Sequence, residues 1–215
     1  MHIITFYDKK IKPLVVDLQQ KVFKKYGFTI NQIMVENWTT HGDAVDNYLK
    51  DIYDPEEIIV LFDIDAIPLN KKIIPLAVEW AKNNVGLFGN AQVASKLKPP
   101  HNKFIFAAPS FLVFSIRTYN ELGRPSFNTT NRSDCAGELS HIATENEMSI
   151  NLLFPNHAEI PNVKLDENHS FGYGTTYGNN TYHAFESRFG KKDVFFINKC
   201  NSILGVWLWN MIFVF

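Results

Sequence analysis

An α/β fold with a mainly parallel central sheet flanked by helices is predicted by three features of the sequence. Short apolar runs alternate with segments of helical spacing along most of the chain. One run, Ile58-Ile59-Val60-Leu61-Phe62, is apolar at every position, as in a strand covered on both faces. No internal repeat or Pro/Gly-rich linker interrupts the order, and 215 residues suit one domain with one continuous core.

The elements follow in order. Ile3 to Phe6 forms the first strand. Lys12 to Tyr26 carries Leu14, Val15, Leu18, Val22 and Phe23 at helical spacing and stops at Gly27, so it reads as a crossover helix. Thr29 to Val35 is a second strand, and Asp43 to Ile52 a helix with Thr39, Thr40 or Asp43 available as its cap. Glu57 to Phe62 is the central strand. Lys71 to Asn84 is amphipathic and tolerates Pro75 in its first turn. Val85 to Gly89, Phe104 to Ala107 and Phe111 to Ser115 read as three strands, with a loop over Lys96 to Lys103. Ile116 to Leu122 is a short helix ended by Gly123, and Asp134 to Glu147 a helix begun by Ser133 or Asp134. The Gly-, Tyr-, Thr- and Asn-rich stretch from His169 to Asn180 reads as a flexible surface loop.

Composition narrows the function classes. Lys plus Arg number 21 and Asp plus Glu 22, so the basic excess that neutralises nucleic-acid phosphates is lacking. Cys135 and Cys200 match neither a metal-ligand spacing nor a disulfide framework and read as reduced thiols, so any metal must use oxygen and imidazole ligands. Met1-His2 leads straight into an apolar strand without a basic leader, and with the reduced thiols this predicts a cytoplasmic protein. The sequons at Asn37 and Asn128 are then expected to be unmodified. The tail from Ile203 to Phe215 is almost wholly apolar, but its 13 residues fall short of the about 20 that a transmembrane helix needs.

Asp63-Ile64-Asp65 follows the central strand directly. Open parallel sheets bind ligands at the carboxyl ends of their strands, and two carboxylates there repel each other unless a cation or hydrogen bonds compensate. Mn²⁺ or Mg²⁺ supplies that compensation and also binds phosphate oxygens. On an extended segment the two side chains point apart, which predicts Asp65 as the direct ligand and Asp63 toward a ribose or the metal's water shell. The alternative is a surface turn, marked by Pro68, in which both acids bond only to backbone and solvent. A phosphatase of the haloacid dehalogenase type also begins with D-x-D after an apolar strand, using the first Asp as nucleophile. Its motif continues with Gly-Thr, whereas Ala66-Ile67-Pro68 follows here, and Gly42-Asp43 precedes the motif where a later acidic element is needed.

Three stretches, Ile4-Thr5-Phe6-Tyr7-Asp8, Leu61-Phe62-Asp63-Ile64-Asp65 and Tyr182-His183-Ala184-Phe185, occur in an order that resembles the GT-A class of nucleotide-sugar glycosyltransferases, a single Rossmann-like domain. The chain looks most like the small domain that glycosylates the major capsid protein of large chlorella viruses, from Ile3 to about Ile197. The resemblance implies a nucleoside-diphosphate sugar donor, such as a UDP-sugar, a glycan or glycoprotein acceptor, and Mn²⁺ or Mg²⁺. It implies a nucleotide-binding half over about 1–115 and an acceptor-side half over about 116–200. It places the nucleotide on Thr5, Phe6, Tyr7 and Asp8, where Tyr7 either stacks on a base or packs against the next helix. Asp43 is a further donor-site candidate or a helix cap. Asp63, Asp65 and a late histidine, His183, hold the metal, ahead of His41, His157 and His169. Asp134 faces the acceptor, as general base in an inverting reaction or to orient the hydroxyl in a retaining one; otherwise it is an N-cap. A sugar- or nucleotide-binding module without turnover is the non-enzymatic alternative.

Overall fold

The computed structural model describes residues 1–37, 39–186 and 192–206. Its first half contains β1 (His2–Tyr7), α1 (Pro13–Lys25), β2 (Asn31–Met34), α2 (His41–Leu49), β3 (Ile58–Phe62), β4 (Ala66–Pro68), α3 (Ile73–Asn83) and β5 (Gly86–Val93). The second half adds β6 (Ile105–Ser115), α4 (Ile116–Glu121), α5 (Gly137–Glu145), β7 (Ser149–Leu153), β8 (Pro155–Lys164), β9 (Ser170–Tyr177), β10 (Thr181–His183) and α6 (Asp193–Leu204). The fold is α/β, as the alternating pattern predicts.

The central sheet has six strands in the order β2-β1-β3-β6-β5-β7. Only β6 runs against the rest, pairing antiparallel with both β3 and β5, while the remaining pairs are parallel. Strand β3 explains the two-sided core. Its residues alternate between faces, so Ile58, Val60 and Phe62 join Val15, Leu18, Val22 and Phe23 of α1, Ala77 and Ala81 of α3, and Phe196 of α6. Ile59 and Leu61 face the other way, onto Val45 and Leu49 of α2, Tyr119 of α4 and Leu139 of α5. Every residue of β3 is buried, which is why its sequence carries no polar alternation.

Four readings are corrected. Phe104 to Ala107 and Phe111 to Ser115 are one strand, β6, which runs through Pro109; a shift of register in β5 between Gly89 and Asn90 marks where its pairing with β6 changes. The expected helix at Asp43 starts earlier, at His41, because Thr40 is its cap and accepts from the Asp43 amide. The helix expected from Asp134 starts at Gly137 after Ala136 in the left-handed region, so neither Ser133 nor Asp134 is its cap. The stretch from His169 to Asn180 is not a flexible surface loop: most of it is β9, which is largely buried, and only the turn that leads to the buried β10 is exposed. Its glycines permit close strand contact, since a Cβ on Gly172 would lie 2.2 Å from the Ile160 carbonyl oxygen of β8.

Those strands form a second sheet, β4-β10-β9-β8. The chain leaves the central sheet at Phe62 and enters the second at Ala66, so Asp63-Ile64-Asp65 is the corner between them. Both cysteines are free thiols. Among the described residues no helix is long and apolar enough to cross a membrane. Of the apolar tail, Ile203 and Leu204 close α6, and 207–215 lie outside the described residues.

Candidate metal centre

The corner is held from three directions. The Ala66 amide donates to the Asp63 carbonyl at 3.0 Å, closing the turn. Gln19, a fully buried residue of α1, donates through Nε2 to the carbonyls of Asp63 at 2.8 Å and Ala66 at 3.0 Å. The Ala184 amide donates to the Asp65 carbonyl at 2.9 Å, while β10 pairs antiparallel with β4 in the register His183 to Ala66. Backbone pairing therefore brings an imidazole to the two acids.

Asp63, Asp65 and His183 each offer a ligand atom, all within 4.8 Å of one another. His183 Nε2 lies 3.3 Å from Asp65 Oδ1 and 3.4 Å from Asp63 Oδ2. The motif is a turn rather than an extended segment, so its carboxylates converge on one imidazole instead of pointing apart. The surface-turn alternative also fails, because Asp65 is 6% exposed and Pro68 lies buried within β4.

The donor set fits a divalent cation. Two carboxylates and a neutral imidazole suit hard to borderline ions, and the group sits where uncompensated negative charge would be costly. Burial opposes charging of His183, but the Asp65 and then the Asp63 carboxylates outweigh it and raise its pKa above the ordinary 6.5. Without a metal, the imidazolium stabilises the fold; that contribution is complete below about 6.5 and is lost as pH rises through the higher folded value. A bound cation requires the neutral ring, so the sign reverses for binding. Mn²⁺ affinity is expected to fall about tenfold per pH unit once pH drops below the raised pKa. Titration of Mn²⁺ by electron paramagnetic resonance between pH 5.5 and 8 checks this, and a flat profile would remove His183 from the ligand set.

A cleft of about 340 Å³ opens over these residues and is also lined by Tyr7, Asp8, Gln92, Lys96 and Asp134. Phe6 lines it with its ring tucked beneath His41, centroids 6.3 Å apart. Asp8 is buried and accepts from the Lys10 amide at 2.8 Å, fixing the turn after β1. Tyr7 is partly buried and packs on the core below while facing the cleft. Thr5 is fully buried within β1 and Asp43 is partly exposed in the first turn of α2; neither is a lining residue. Hydrogen bonds from Thr39, Asn128 and Thr40 hold the Asp43 carboxyl below its ordinary range. The bond from Asn128 Nδ2, at 2.7 Å, also occupies the amide nitrogen of that sequon.

Asp134 stands outside the α5 helix, accepting from the Cys135 amide at 2.8 Å and from Thr129 Oγ1 at 3.3 Å. Burial, then the nearby Asp63, Asp134 and Asp46 carboxylates, push the Cys135 thiol well above its ordinary value and keep it neutral. His41, ranked below His183 in sequence, proves to be a cleft residue: its Nδ1 lies 3.4 Å from Asp63 Oδ1. His157 and His169 are not lining residues, and His169 pairs with Asp166 at 2.9 Å. Gln19 and Gln92 are functional residues that the sequence reading does not single out. Gln19 carried a signal, as a polar side chain in the apolar stripe of α1; Gln92 did not, because the strand read over Val85 to Gly89 stops short of it whereas β5 continues to Val93.

No protein-family model and no curated protein sequence matches the chain. Among solved structures it is similar to A197 from STIV, with TM-score 0.45 and 9% identity over 71% of this chain and 82% of that one. It is also similar to a putative glucose-1-phosphate thymidylyltransferase from Bacillus anthracis, solved with a sucrose (TM-score 0.42, 12% identity, 70% and 66% covered). A third is a mutant Drosophila beta-1,4-galactosyltransferase 7 in complex with manganese, UDP-Gal and xylobiose (TM-score 0.45, 12% identity, 88% and 73% covered). These neighbours include glycosyltransferase-like folds, but at such scores the chemistry rests on the cleft of this chain.

Proposed function

We propose that this chain is a divalent-metal-dependent glycosyltransferase that moves a sugar from a nucleoside-diphosphate donor, a UDP-sugar, to a glycan or glycoprotein acceptor. The observation that carries the reading is the convergence of Asp63, Asp65 and His183 within 4.8 Å on the wall of a cleft that also presents Tyr7 and Asp134. The two carboxylates and the imidazole are the residues that hold Mn²⁺ or Mg²⁺. When bound, the cation offsets the charge that builds on the departing diphosphate.

The remaining roles belong to the protein. Tyr7 and Asp8 receive the nucleoside at the end of β1, and the Lys96 ammonium at the cleft mouth faces the phosphates. Asp134 contacts the acceptor hydroxyl. In an inverting reaction its carboxylate takes the hydroxyl proton as the acceptor oxygen bonds to the anomeric carbon and the bond from that carbon to the phosphate oxygen breaks. In a retaining reaction it orients the hydroxyl. The division into a donor half over about 1–115 and an acceptor half from about 116 follows these roles, although His183, from the later half, joins the metal ligands. A glycoprotein acceptor such as a viral capsid protein, and a cytoplasmic site of action, belong to the same proposal.

The phosphatase alternative needs Asp63 as an unencumbered nucleophile. Two imidazoles, His41 and His183, each 3.4 Å from its oxygens, weigh against that. Calorimetric titration with uridine diphosphate decides. Binding that requires Mn²⁺ and is lost to a chelator is expected, and no nucleotide binding under either condition would sink the proposal. Release of sugar from the donor by the loaded protein separates an enzyme from an inert binding module.

A further inference from the structure

We propose that Gln92 is a positioning residue for the metal centre: its side-chain amide holds His183 with the proton on Nδ1, leaving the Nε2 lone pair free toward Asp63 and Asp65. This inference rests on the metal-dependent reading above and assigns a duty to a residue that touches a ligand on the side away from the two acids.

All eight residues of β5 are buried, yet Asn90 and Gln92 are polar. Both follow the shift of register after Gly89 and make a buried chain of hydrogen bonds. Thr181 Oγ1 donates to Asn90 Oδ1 at 2.7 Å, and Asn90 Nδ2 donates to Ser110 Oγ at 3.1 Å. Gln92 Nε2 lies 3.1 Å from Tyr177 Oη, 3.3 Å from His183 Nδ1 and 3.4 Å from Ser110 Oγ. The chain links both sheets and ends on the ring nitrogen that points away from Asp63 and Asp65.

In this arrangement the amide N–H meets Nδ1 as an acceptor, so the ring proton is on Nε2, facing the carboxylates. That tautomer suits the metal-free centre, but a cation needs the Nε2 lone pair, and the proton must then move to Nδ1. A half-turn of the Gln92 amide puts its oxygen where its nitrogen stood. Nδ1–H, the Tyr177 hydroxyl and the Ser110 hydroxyl are all donors toward that oxygen. Gln92 can thus satisfy both ring tautomers, which neither an apolar residue nor a fixed donor can do. Because the site is buried, an Nδ1–H left without an acceptor would disfavour the metal-bound tautomer.

The test is the Mn²⁺ dissociation constant, measured by electron paramagnetic resonance without any sugar nucleotide, together with the melting temperature of the metal-free protein. Gln92→Met keeps length and removes hydrogen bonding; Mn²⁺ binding is expected to weaken roughly 10–100-fold. Gln92→Glu, which only accepts, is expected to bind Mn²⁺ at least as tightly as the parent. Parent-like affinity in Gln92→Met would overturn the role of Gln92 and leave the proposed function standing. A parent that binds no Mn²⁺ would overturn the function itself. Should Gln92→Met melt below the assay temperature, Gln92→Glu decides, and weaker binding than the parent overturns the inference.

Discussion

Replacing Asp65 by Ala is expected to abolish Mn²⁺-dependent binding of uridine diphosphate. Asp65 is buried, lies 3.3 Å from His183 Nε2, and has its backbone fixed by the Ala184 amide, so neighbouring groups have little freedom to replace its carboxylate. Losing a ligand outright should exceed the roughly 10–100-fold cost of losing a group that merely supports one. Titration of Mn²⁺ and then of uridine diphosphate measures both steps. A variant with parent-like metal affinity would remove Asp65 from the centre. The metal-free Asp65→Ala protein should also lose part of the stability that imidazolium pairing gives near pH 6, because Asp65 is the stronger of the two carboxylates raising His183.

Asp134→Asn is expected to leave donor affinity intact and to slow transfer about 10²–10⁴-fold, the usual contribution of a positioned general base. The substitution is nearly isosteric and keeps an oxygen that can accept from the Cys135 amide, so the local turn should survive. Since α5 begins at Gly137, no loss of helix capping complicates the result. The split between an unchanged dissociation constant and a depressed kcat is the discriminating readout. Normal turnover would remove Asp134 from the reaction.

The fold and the acids of the centre were legible because each leaves a local mark. The unbroken apolar run of β3 announces a strand buried on both faces, and Asp63 and Asp65 stand at its carboxyl end. The convergence with His183 was not legible in spacing, because His183 lies 118 positions after Asp65 and only the pairing of β10 with β4 joins them. That position came from the resemblance. The second sheet was misread for a related reason: β9 is rich in Gly, Thr and Tyr, a composition shared by loops, and its burial comes from neighbouring strands. His41 looked ordinary because nothing local says that Asp63 lies opposite it. Gln19 was the opposite case, visible as a polar interruption of a buried face but without a stated purpose until its partners were known.

The antiparallel zipper from Ala66 to Pro68 against Thr181 to His183 has a consequence for the growing chain. Closing it spans more than a hundred residues, and contacts of such long range are slow to form. A nascent polypeptide carrying only the first 150 residues possesses both acids, His41 and most of the central sheet but lacks His183, the third member of the triad. Maturation of the ion-binding pocket therefore coincides with arrival of the late hairpin, so an unfinished molecule cannot assemble the three-ligand centre.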